Sequence, residues 1–116
     1  MLKYALLIYQ DESQAALDEG SPALKAIVAR HMVFSRDLGP TRLGGSGLKS
    51  TRSATTLRTV GANKTVHDGP FAETREQLGG FYLVEAADLD AALKIAKEVP
   101  LVGNGAIEIR PLLGAD

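Results

Sequence analysis

The chain has 116 residues, with 13 Lys and Arg against 14 Asp and Glu, a formal charge of −1 at pH 7. That near-neutral balance leaves no electrostatic footprint for nucleic acid or an anionic membrane, and zero cysteines exclude a disulfide framework, a Cys-ligated zinc site or an iron–sulfur cluster. A hydrophobic fraction of 45% beside 23% charged residues is that of a soluble α/β protein, and the length fits a single domain over residues 1–116.

Leu2 to Gln10 is rich in Leu, Ile and Tyr and reads as a central strand, covered on both faces or lying mid-sheet. The apolar run is too short for a bilayer span. Asp11 and Glu12 follow it instead of a small-residue cleavage site, so a cytoplasmic protein without a targeting segment is expected. Ser21-Pro22 supplies an N-cap and a proline at the first helical position, and Leu24, Ile27, Val28, Phe34 and Leu38 recur at helical spacing until Gly39-Pro40 stops the ladder. Leu43 to Leu48 is glycine-rich, but it lacks the Lys-Ser/Thr ending and the following helix of a phosphate loop. A bent or bulged strand is the better reading.

Thr55 to Val60 and Thr65 to Asp68, joined through Gly61 to Lys64, give a hairpin signal. Phe81 to Val84 is a second apolar strand, introduced by Gly79-Gly80. Asp88 then caps a helix with the stripe Leu89, Leu93, Ala96 and Val99, ending before Pro100. Ile107 and Ile109 alternate with Glu108 and Arg110 as the last strand. Two helices cannot cover both faces of such a sheet, so they should share one face, and a second copy packed sheet against sheet would cover the other.

Asp68 to Phe81, the string DGPFAETREQLGGF, has no periodicity, and its glycines and proline mark a shaped loop. It resembles the signature of the YCII-related family, specifically the DGPF branch with its motif D-G-P-F-A-E-T-K-E-x-L-G-G-F, in which Arg75 stands where lysine is usual. The resemblance extends from the first strand to Glu108–Pro111. It implies an α+β, ferredoxin-like (βαββαβ) sandwich of the dimeric α/β-barrel type that pairs into a homodimer. It also implies a small protein often encoded near extracytoplasmic-function sigma factors, and a His and Asp pair with no assigned reaction.

Asp68 opens the loop at a strand end. It is a candidate general base or ligand-orienting carboxylate, or else an acceptor for the loop's own amides. His31 falls on the apolar stripe of the first helix, where it is either an acid/base partner or a core histidine bonded to backbone. His67 should point away from Asp68, because successive strand side chains alternate. Glu73 and Arg75 form a candidate anion-binding pair, or else an exposed salt-bridged turn. Phe71 and Phe81 read as anchors of the loop to the core. Two histidines without metal-ligand spacing imply no metal, and no cofactor fingerprint is present. The expectation is a small-molecule enzyme or binding protein with a cleft around Asp68. The alternative is a non-catalytic regulatory or partner module linked to a sigma factor.

Overall fold

The computed structural model describes residues 1–14 and 17–114. Its elements in chain order are β1 (Leu2–Asp11), α1 (Pro22–Leu38), β2 (Arg42–Gly47), β3 (Thr55–Val60), β4 (Asn63–Asp68), β5 (Glu76–Ala86), α2 (Leu89–Lys97) and β6 (Gly105–Pro111). Four strands form one sheet in the order β2-β5-β1-β6, every pairing antiparallel. With β3 and β4 set aside as a separate hairpin, this is the βαββαβ order of a mixed α+β, ferredoxin-like fold. Among the described residues no helix is long and apolar enough to cross a membrane.

The β1 strand is central, as its composition implies, but it is covered on one face only. Tyr4, Leu6, Ile8 and Gln10 are buried, whereas Ala5, Leu7 and Tyr9 on the opposite face are half-buried. The apolar character of both faces concealed this asymmetry, since the two-residue period of a strand shows only when one side is polar. The core joins Tyr4, Leu6 and Ile8 to Tyr82 and Val84 of β5 and to Ala92 and Ala96 of α2, with Phe34 and Leu38 of α1 packed against it. Both helices therefore lie on one face of the sheet.

Capping fixes where the helices start. Ser21 Oγ accepts from the Leu24 amide at 3.0 Å, and Asp88 Oδ1 accepts from the Ala91 amide at 2.9 Å. Gly39 at φ 55° turns the chain out of α1. The α2 stripe differs from expectation. Ala96 and Val99 are buried as expected, but Leu89 and Leu93 are 56% and 42% exposed, and Ala92 takes their place against the sheet. Small side chains let the helix approach the strands closely, and the larger leucines flank the contact. The glycine-rich stretch is the bulged strand expected, with a register shift between Arg42 and Gly44. A Cβ on Gly45 would lie 2.6 Å from the Phe81 carbonyl oxygen, so only glycine permits that approach. The hairpin turns through Gly61 at φ 61°, the positive value that a two-residue II′ turn needs first.

Candidate functional site

The bulge in β2 and the one-sided burial of β5 leave a gap beneath α1. It is a predominantly apolar cavity of about 820 Å³, bounded by Ile8 of β1, Ile27, Val28 and Met32 of α1, and Tyr82 of β5. Such a volume suits a small organic molecule. Three polar side chains meet on its wall. His31 Nδ1 lies 2.8 Å from Tyr82 Oη, with the two rings stacked at 5.9 Å and 22°. Arg42 places its guanidinium carbon 5.9 Å from the centre of the Tyr82 ring on the β2 side. Phe34 meets the same ring edge-on at 5.1 Å, so the phenol is held by aromatic contacts as well as its hydrogen bond.

Burial holds the His31 pKa below the ordinary 6.5; the Arg30 charge acts the same way, and the Pro100 carbonyl opposes both. Burial likewise raises the Tyr82 pKa, with Arg42 pulling the other way. Both groups are therefore neutral near pH 7. Between two neutral groups the bond runs either way: the phenol donates to Nδ1 when the ring proton sits on Nε2, and Nδ1–H donates to the phenol oxygen in the other tautomer. Gln10 is fixed nearby by donating from Nε2 to the Val102 carbonyl at 3.1 Å.

Asp68 lines a different cleft of about 580 Å³, with Glu73 and Arg75 among its walls. The expectation of a sheltered carboxylate is not met within one chain, because Asp68 is exposed. Among the described residues its side chain makes no hydrogen bond, and the partner of His31 is Tyr82. Other residues shape the loop. Thr56 Oγ1 donates to the Gly69 carbonyl at 2.7 Å, Arg58 Nη2 to the Phe71 carbonyl at 2.9 Å, and Gln77 Nε2 to the Ala72 and Thr74 carbonyls at 3.0 and 3.1 Å. Arg75 pairs with Asp11 across 3.3 Å, in place of Glu73. Asp11 has a lowered pKa, chiefly because the Ser13 hydroxyl and amide bond its carboxylate, with a smaller contribution from Arg75. Phe71 is 74% exposed and so does not anchor the loop to the core. Phe81 lies half-buried on the open face of the sheet.

The two clefts meet at Glu12, Ser13, Arg52 and Gln77, which border both. Glu12 is already engaged, accepting from the Thr51 amide at 3.0 Å. No group of His, Asp or Glu side chains suited to a metal occurs among the described residues. Of the cavity's polar trio, sequence reasoning reached only His31. Tyr82 lies within an apolar strand pattern, and Arg42 precedes a glycine-rich stretch in which the register shifts after it.

Comparison with known proteins covers nearly the whole chain. Residues 2–114 match the family described as the YCII-related domain. An uncharacterised protein of Rhizobium meliloti (strain 1021) is 40% identical over 116 aligned positions, spanning 94% of this chain and 90% of that protein.

Proposed function

The chain belongs to the YCII-related family, and from that premise we propose that it binds a small, largely apolar molecule in the cavity between α1 and the sheet. The observation that carries this reading is an 820 Å³ space with a predominantly apolar surface, lined by Ile27, Val28 and Met32 and by the neutral His31–Tyr82 pair. Apolar walls supply most of the binding free energy, and a few fixed polar groups set orientation. His31 and Tyr82 are committed to each other and held neutral, which suits positioning a ligand better than removing a proton from one.

The string Asp68 to Phe81 supports assignment to the DGPF branch, and Asp68, Glu73 and Arg75 line a separate polar cleft that adjoins the cavity at the residues both share. The half-buried Ala5, Leu7, Phe81 and Leu83 on the helix-free face support a homodimer packed sheet against sheet.

The test is mass spectrometry of the native protein, with and without denaturation, on the wild type and Val28→Trp. The tryptophan would fill the cavity from α1. A small molecule released by the wild type and missing from the variant is the expected result. A ligand retained equally by both proteins, or none bound by the wild type, contradicts the reading.

A further inference from the structure

Arg42 is half-buried beside the cavity, and its needs are incompletely met. Its Nη2 donates to the Gly45 carbonyl at 3.0 Å, while Nε is buried without a hydrogen-bond partner among the described residues. The ion pairs among the described residues are Arg36 with Asp37 and Arg75 with Asp11, so no described carboxylate pairs with Arg42. Glu12 and Glu19 also border the cavity; Glu12 is occupied by Thr51, and Glu19 is exposed to solvent and forms no ion pair with Arg42. A guanidinium withdrawn from water without a counterion is costly; Nε itself is closed off from the cavity, so an anion there is met by the terminal nitrogens of the guanidinium.

We infer that the cavity's ligand is an organic monocarboxylic acid, its carboxylate held by Arg42 and its apolar body lying along Ile27, Val28 and Met32. The inference rests on the cavity reading and adds the chemical class of the ligand. Lys49 and Arg52 also line the cavity, but both are exposed to solvent, which leaves Arg42 as the half-buried cation beside the apolar wall and matches it to one negative charge. A phosphate would bring a second charge into apolar surroundings, and an amine would repel the guanidinium. The carboxylate also lies beside Tyr82, over whose ring the guanidinium sits, so the phenol oxygen is the neighbouring acceptor for a ligand hydroxyl.

The probes are phenylalkanoates from phenylacetate to phenylhexanoate, each beside its primary amide and its amine, titrated calorimetrically into the wild type, Arg42→Met and Arg42→Lys. In the wild type the best acid should bind at least about tenfold more tightly than its amide, with the amine weakest. Arg42→Met should erase that preference while the amide still binds, and Arg42→Lys should retain part of it. Equal binding of acid and amide to the wild type overturns the carboxylate inference and leaves the cavity reading standing. So does an acid preference that survives in Arg42→Met. If none of the probes binds, both are overturned. The wild-type comparison does not depend on either variant folding.

Discussion

His31 Nδ1 and Tyr82 Oη stand 2.8 Å apart, joining the middle of α1 to the middle of β5 across the floor of the cavity. The bond crosses 51 positions of sequence and fixes the distance between helix and sheet where the ligand space begins.

Removing either partner should cost about 1 kcal/mol, the usual worth of a hydrogen bond of this kind. Tyr82→Phe and His31→Leu together should cost less than the sum of the singles, with a coupling of about 0.5–1.5 kcal/mol in a double-mutant cycle. Urea unfolding of the four proteins measures it. Strictly additive losses would mean that the two rings contribute separately.

The depressed pKa of His31 makes its contribution pH-dependent in a defined direction. The unfolded chain takes up the proton near the ordinary 6.5, whereas the folded protein does so only at lower pH. Stability carried by the neutral ring is therefore complete above that value and is lost as pH falls through it toward the folded-state pKa. The urea midpoint should be lower at about pH 5.5 than at about pH 7.5, and His31→Gln should shrink the difference. Burial sets most of the shift, the Arg30 charge on the same helix adds to it and the Pro100 carbonyl opposes it, while Tyr82 of β5, with Arg42 over its ring, faces the imidazole from the sheet.

Leu7 pairs with Phe81 in the register of β1 and β5, on the face away from the helices. A charge introduced there by Leu7→Arg should convert a sheet-to-sheet dimer into monomers in sedimentation velocity, with the far-ultraviolet circular dichroism unchanged. A wild type that sediments as a monomer at all concentrations would contradict that packing.

Asp68 lines the neighbouring cleft, so its charge should matter little to a ligand under α1. Asp68→Asn should leave phenylalkanoate affinity within about twofold of wild type. A larger loss by calorimetry would make the two clefts one site.

The sequence disclosed the helix starts through Ser21 and Asp88, the bulge through Gly44 and Gly45, and the shaped loop through Gly69 and Pro70, because each of these residues acts locally on its own backbone. It could not disclose which face of β1 was open, since Leu6 and Leu7 are equally apolar and differ only in what lies above them. The α2 stripe is legible at Ala96 and Val99, but Ala92 gives no hydrophobic signal strong enough to outweigh Leu89 and Leu93. The site was the least legible part. His31 stood out as a polar residue on an apolar face, but its partner was sought at Asp68, in the conspicuous loop. Tyr82 and Arg42 meet it only once β2 and β5 pair, a contact of long sequence separation that no local pattern records.

The central claim is tested most directly by methyl-detected nuclear magnetic resonance of the isotopically labelled protein titrated with the tightest phenylalkanoate. The account predicts saturable shifts at the methyls of Ile8, Ile27, Val28 and Met32, with Leu7 and Leu83 on the opposite face unmoved. Shifts confined to that opposite face or to the loop after Asp68 would contradict it.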